Sequence, residues 1–304
     1  MMIRAMPWVF VVIWSTGFVV ARLAMPHSPP FSFLSVRFAL SALSFAIWIV
    51  LARAAWPRGR RQWFHLAVTG LLMQGCYLGG VWAAIKIGIG AGTAALLVGL
   101  QPVLTALWVT AHDSRDVAVG RVPMRQWLGL LLGFAGLVFV VWPKMGTGEV
   151  TPVNLAFAVV ALLGITTGTL YQKRFVEPCD VRTASAVQML AALVVCTPLA
   201  WLEAEPMDWH VNLIAAMAWS VGVLTLGGSS LLYLLIQRGE ATAVSSLLYL
   251  VPPCTALMAW ALFGEAFTAP MMLGMMLTVA GVAIVVRNPR EVRLGAAPQE
   301  EAPG

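Results

Sequence analysis

Ten apolar stretches, each close to the length needed to cross a hydrocarbon layer, follow one another along the chain with short polar or charged connections between them. They run near 6 to 25, 31 to 52, 63 to 87, 91 to 111, 124 to 142, 152 to 172, 182 to 202, 211 to 237, 241 to 263 and 269 to 287. A bilayer core about 30 Å thick is crossed by roughly 20 mainly apolar residues in a helix. The pattern therefore predicts an all-α membrane protein with ten transmembrane helices.

Composition agrees with the pattern, since 60% of the 304 residues are hydrophobic and 11% charged, against about half apolar and a quarter charged in soluble domains. The formal charge of +6 acquires its meaning from its distribution. Of 19 Lys and Arg residues, all but Arg22, Arg37, Lys86 and Lys144 fall at the N-terminus, in the even-numbered connections or in the C-terminal tail. Basic connections stay cytoplasmic, which places both termini inside and Glu203, Glu205 and Asp208 outside. The excess charge reports topology and not a nucleic-acid partner. The first stretch exceeds the roughly 7 to 15 apolar residues of a signal peptide and is taken as a helix. Cys76, Cys179, Cys196 and Cys254 show no metal-type spacing, and neither a disulfide, a metal site nor a cofactor is expected.

The chain repeats itself. Ala91–Leu107, AGTAALLVGLQPVLTAL, set against Ala241–Leu257, ATAVSSLLYLVPPCTAL, at an offset of 150 matches seven residues, including Pro102 with Pro252. Leu128-Gly129 and Ala135-Gly136 meet Leu273-Gly274 and Ala280-Gly281 at a nearby offset, and Thr16-Gly17 has its counterpart in Thr167-Gly168. An odd number of helices per half makes the two repeats inverted, an arrangement common in secondary transporters. The expected organisation is a first five-helix repeat over 1–145, a second over 146–288 and a disordered cytoplasmic tail over 289–304.

WSTGFVVARLAMPHSPPFSFLSVRFALSAL, at 14–43, resembles the opening of an EamA-type member of the drug/metabolite transporter superfamily. The stretch from 241 to 286, with its Gly264-Glu265 pair, resembles the matching part of the second repeat. The resemblance implies ten helices in two inverted halves, a bacterial cytoplasmic (inner) membrane location and export of small metabolites, with bacterial amino-acid exporters, the aromatic type included, as the nearest functional likeness. The first half carries His112-Asp113-Ser114-Arg115 where the second has Gly-Glu, so that motif's role extends to Glu265 alone.

The candidate site follows from polar residues inside apolar stretches. Gln74 and Tyr77 share a helical face with Val81, Ser230 shares one with Tyr233, and Ser245 shares one with Tyr249. With Trp14, Ser15 and Gln101 they are expected to line one central cavity; any one of the Ser and Gln residues alone serves equally as glue between helices. Pro102, Pro252 and Pro253 are expected to kink their helices near mid-membrane. Arg22, Arg37, Lys86 and Glu265 lie near the outer ends of their stretches, which reads as snorkelling or as an electropositive outer mouth. Trp8, Trp56, Trp63, Trp142, Trp201 and Trp209 sit where interfacial anchors belong. The glycines of stretches 5 and 10 permit close packing within one subunit or across a dimer, and monomer against homodimer stays open.

With no carboxylate at a helix centre, uniport, or a coupling not visible in the sequence, of a neutral, zwitterionic or partly apolar solute is favoured over proton-driven export of cationic drugs. The partners expected are thus a small-molecule substrate and the lipid bilayer. Export of hydrophobic drugs or flipping of lipid-linked substrates is the alternative on the same fold. An embedded enzyme lacks its signature residues, since no His pair with metal spacing, Asp-rich phosphate motif or Gly-x-Ser-x-Gly elbow occurs.

Overall fold

Where each apolar stretch turns into helix is decided by residues at its ends. In a computed structural model, which describes residues 2–112, 124–228, 230–231 and 250–286, the first helix, α1 (Met2–Ala24), stops just ahead of Pro26. Pro30 opens α2 (Pro30–Ala52), where its missing N–H costs nothing. That helix closes at Arg53, which adopts a left-handed conformation with φ 48° and donates back to the Ile49 and Val50 carbonyls. After α3 (Arg60–Lys86) come two shorter pieces, α4 (Ala91–Val98) and α5 (Gln101–His112), and then α6 (Met124–Gly146). Thr151 and Asn154 form a reciprocal capping box that starts α7 (Pro152–Phe175). Asp180 accepts the Arg182 N–H to start α8 (Val181–Trp201). The remaining helices are α9 (Val211–Gly227), α10 (Val251–Phe263) and α11 (Ala269–Val286).

The expectation of ten transmembrane helices in two inverted five-helix repeats requires correction. Among the described residues six helical segments are long and apolar enough to cross a membrane: Pro30–Ala52, Arg60–Lys86, Ala91–Trp108, Trp127–Gly146, Pro152–Phe175 and Val181–Trp201. The other apolar helices, Trp8–Ala24, Val211–Gly227, Val251–Phe263 and Ala269–Ile284, are shorter, at 10–17 residues. At 1.5 Å per residue, the 13 residues of α10 reach only about 20 Å. A hydropathy run measures how apolar a segment is, and the backbone within it need not be one uninterrupted helix. The run from 91 to 111 shows the difference, because its helix is broken between Val98 and Gln101.

Two helices change their winding midway. In α3 the segment Leu71–Cys76 is π-helical, closed by the Tyr77 N–H donating to the Leu72 carbonyl five residues back. In α9 the segment Trp219–Gly227 is π-helical too. These wide turns are rare and concentrate where a helix lines a functional site.

Packing follows the small residues. The helices α2 and α8 pack along one another, as do α3 with α7, α4 with α10 and α6 with α11. Between α6 and α11 the backbones touch: a methyl group on Gly136 would run into the Gly274 carbonyl, and one on Gly281 would reach the Gly129 carbonyl. The glycine faces that the sequence left open to a dimer are thus used within one chain. The six tryptophans expected at the interfaces are all exposed, from Trp63 at 39% to Trp201 at 81%.

Candidate functional site

The π-helical part of α3 widens the helix where a cavity of about 130 Å3 opens beside it. Met73, Gln74, Tyr77, Val81 and Trp82 of α3 form one wall. Trp14, Gly17 and Phe18 of α1 form another, and Ile165 of α7 and Met189 of α8 contribute apolar surface. Leu224 and Thr225 come from the second π-helical segment, so both widened turns border the same space. The walls are mostly aromatic and aliphatic, with a few polar groups that converge, the usual make-up of a small-molecule site.

Among the described residues, Arg37 is the charged one in the lining. Its side chain is 7% exposed, its guanidinium lies 6.0 Å from the Trp82 ring centroid, and Nη2 meets Thr225 Oγ1 at a long 3.5 Å. Nε is buried without a partner. The Thr225 hydroxyl is itself held at 2.8 Å on the Ser220 carbonyl, five residues back in the π-helical spacing.

Of the residues singled out in the sequence, Trp14, Gln74 and Tyr77 come together on this cavity, with Val81 on the same face. Ser15 does not join them: it is buried, bonds the Val11 carbonyl at 2.7 Å and offers its own carbonyl to Thr255 Oγ1 at 3.1 Å, tying α1 to α10. Gln101 reaches across to Thr169 Oγ1 of α7 at 3.1 Å. Ser230 bonds the Leu226 carbonyl at 2.6 Å. Tyr233, Ser245 and Tyr249 lie outside the described residues.

The prolines act as helix starters. The α4 helix stops at Val98, the Leu100 N–H turns to the Leu97 carbonyl at 3.2 Å, and Pro102 occupies the first turn of α5, where no donor is required. Pro252 packs against Gly99 at this break, where a methyl group on the glycine would come within 2.9 Å of the proline ring. The two proline-bearing segments matched in the sequence are therefore in contact.

Arg22, Lys86 and Glu265 gather with other charged residues at one end of the helices. Glu265 accepts from the Ala91 N–H at 2.9 Å and the Gly92 N–H at 3.4 Å, and its Oε1 lies 3.9 Å from Nε of Arg22. Glu149 accepts from the Gly90 N–H at 3.2 Å and from Lys144 at 2.6 Å. Glu203 accepts from the Phe31 and Ser32 N–H groups, both at 2.8 Å, at the start of α2. Lys86 pairs with Glu205 and donates to the Met25 carbonyl at 3.1 Å. Carboxylates at helix N-termini complete the unpaired N–H groups and oppose the helix dipole. Arg22, Lys86 and Glu265 thus knit the loops at this end, whereas Arg37 turns inward to the cavity.

Trp82, Met73, Leu224 and Thr225 carry no signal in polarity or in ideal helical spacing, because three are apolar or aromatic and the π-helical winding brings Met73, Leu224 and Thr225 to the cavity. Arg37 carried a usable signal: seven residues beyond Pro30 at 1.5 Å each sets it about 10 Å inside its helix, deeper than a headgroup position.

Comparison with known proteins agrees with this architecture. The chain is 25% identical over 288 residues to a protein of Salmonella typhimurium described as a probable amino-acid metabolite efflux pump, covering 91% of this chain and 92% of the other. It is 26% identical to the uncharacterized inner membrane transporter YedA of Escherichia coli K12, covering 90% and 87%. It is 24% identical to the uncharacterized transporter YvbV of Bacillus subtilis, covering 90% and 88%. A solved crystal structure shares the fold with a TM-score of 0.63 at 17% identity, over 92% of this chain and 95% of that one. Its long apolar helices and these relatives make it an integral, multi-pass inner-membrane protein, a transporter of small metabolites and not an enzyme. Matched twice by the family pattern, over residues 6–142 and 153–287, the chain belongs to the EamA-like transporter family.

Proposed function

We propose that this protein exports amino acids, or metabolites built like them, by exposing the cavity between α1, α2, α3 and α9 alternately to the two sides of the membrane. The observation that carries the reading is the cavity itself: an apolar, aromatic space of about 130 Å3 with Gln74, Tyr77, Thr225 and Arg37 as its polar points. An apolar wall with a few polar points suits a solute with an aliphatic or aromatic side chain and a polar head. A buried guanidinium in the wall works against hydrophobic cations, the alternative cargo, because like charges at short range in a low-dielectric site repel strongly. The relative described as a probable amino-acid metabolite efflux pump supports the same class.

The test is flux in proteoliposomes loaded with a panel of radiolabelled amino acids. Counterflow that depends on the protein, and that falls when Trp14→Ala or Tyr77→Ala is introduced without loss of insertion, supports the reading. No protein-dependent flux of any amino acid, alongside flux of a hydrophobic cation or lipid, overturns it.

A further inference from the structure

We infer that Arg37 is a carboxylate anchor, and that the cavity selects small monocarboxylates whose apolar part is about the size of one ring or one branched chain. The inference rests on the cavity being the transport site and adds the chemical class that it recognises. Three observations converge on it. First, Arg37 is buried, at 7% exposure, yet no Asp or Glu appears in the cavity lining among the described residues. Buried cations are ordinarily paired with an anion, and with no carboxylate in the lining among the described residues, a ligand carboxylate is the partner that the cavity can supply.

Second, the hydrogen-bonding capacity of this side chain is unspent. Nε has no partner, and Nη2 has only the Thr225 hydroxyl at 3.5 Å, beyond the range of a strong bond. Guanidinium presents five N–H donors in a planar fork that matches the two oxygens of a carboxylate. Held at the edge of the cavity by Trp82 at 6.0 Å, the fork is positioned before the ligand arrives.

Third, the space sets the size. An apolar cavity of about 150 Å3 holds a benzene molecule, and this one is about 130 Å3, walled by Phe18, Met73, Val81, Ile165 and Leu224. A carboxylate on Arg37 with a branched or single-ring side chain against that wall fills it. The α-amino group of an amino acid has Gln74 Oε1 and the Tyr77 hydroxyl within the same lining, but no anion among the described residues, so the carboxylate carries the recognition.

The experiment uses the purified full-length protein and four probes of one shape: L-leucine, isocaproate, which lacks the amine, isoamylamine, which lacks the carboxylate, and L-leucinamide, in which the carboxylate is neutralised. Binding is read from tryptophan fluorescence, since Trp14 and Trp82 line the cavity, and from shifts in melting temperature. Leucine and isocaproate are expected to bind, and isoamylamine and leucinamide to bind at least about 10-fold more weakly, the loss that follows from removing a charge-assisted bond. Arg37→Gln is expected to remove that difference, and Arg37→Lys, which keeps the charge without the fork, to restore part of it. Equal binding of leucine and leucinamide, or an unchanged preference in Arg37→Gln, overturns the anchor; the probe series on the unaltered protein decides even where the variants fail to fold. The two readings fail separately. Leucine flux with no preference for carboxylates leaves the amino-acid reading and removes the anchor, and isocaproate binding without flux of any amino acid does the reverse.

Discussion

The contact between α6 and α11 leaves no room for a methyl group, and Gly274→Ala measures how much of the fold depends on it. A Cβ at Gly274 would lie 2.5 Å from the Gly136 carbonyl oxygen and 2.5 Å from Cγ2 of Val140. Ordinary carbon–oxygen contacts begin at about 3.3 Å, so the helices must part by close to an ångström. Overpacking costs about 1–3 kcal/mol, and here about 2–3 kcal/mol, because one of the overlapped atoms is a backbone carbonyl that cannot swing away; replacing a helical glycine by alanine returns about 1 kcal/mol of propensity. The overlap wins, with a net loss of about 1–2 kcal/mol, or a fall of about 2–8 °C in melting temperature for a chain of this size. Gly75→Ala is the control, because nothing lies within 4 Å of its added methyl, and it should not fall. The double substitution with Gly136→Ala should cost less than the sum, since the first methyl already separates the pair. Thermal unfolding in detergent, followed by loss of the monodisperse chromatographic peak, checks all four proteins. A Gly274→Ala variant as stable as the parent, or a Gly75→Ala variant that falls as far, refutes the close-packing argument.

Glu265→Gln keeps a hydrogen-bond acceptor at the start of α4 but removes the charge, so about 0.3–2 kcal/mol of stability should be lost, and more in Glu265→Ala; unchanged melting in both would show that the Ala91 and Gly92 N–H groups need no cap. Gln101→Leu breaks the bond to Thr169 and should lower stability by about 1 kcal/mol while leaving flux intact, whereas lost flux in a stable variant would place Gln101 in the transport path. The Asp180 carboxyl is held below its ordinary value chiefly by the hydrogen bonds from Arg182, at 2.9 and 2.6 Å. Its folded pKa being the lower one, the stabilisation is complete above the unfolded value of about 3.9 and disappears as pH falls through the folded one. Asn caps about as well as Asp, so Asp180→Asn should melt earlier than the parent at neutral pH only by the lost ion pair with Arg182, about 0.2–1 kcal/mol, and the gap should close in acid. A gap that persists below both pKa values would mean that the charge is irrelevant there.

The helices and the first wall of the site were readable because helical spacing is a local property. Gln74, Tyr77 and Val81 recur at steps of three and four, and in the structure all three face the cavity. Pro102 and Pro252 cannot donate, but whether a helix bends or stops and restarts at them depends on what packs at the break, here Gly99 against Pro252. Nearness to a stretch end places Arg37 at the outer mouth, and its inward turn toward Trp82 and Thr225 depends on neighbours from other helices. Gln101 illustrates the same limit, since its partner Thr169 is 68 residues away. Hydropathy registers how apolar a stretch is and not how long its helix is, so it yields more spans than the six helical segments long and apolar enough to cross among the described residues.

The π-helical turns also bear on how such chains tolerate gain or loss of residues. In an ordinary α-helix, deleting one residue rotates everything beyond it by about 100°, which would swing the cavity face of α3 into lipid. A π-helical turn already holds a surplus residue between two α-helical flanks, as Leu71–Cys76 does ahead of Tyr77 and Trp82. Removing one residue there rewinds the turn to α and leaves the flanking faces aligned. The borders of this cavity are therefore the places where a single-residue gap in a relative's alignment is structurally silent beyond the turn itself, and where the lining can be re-cut, one residue at a time, without disturbing the rest of the helix.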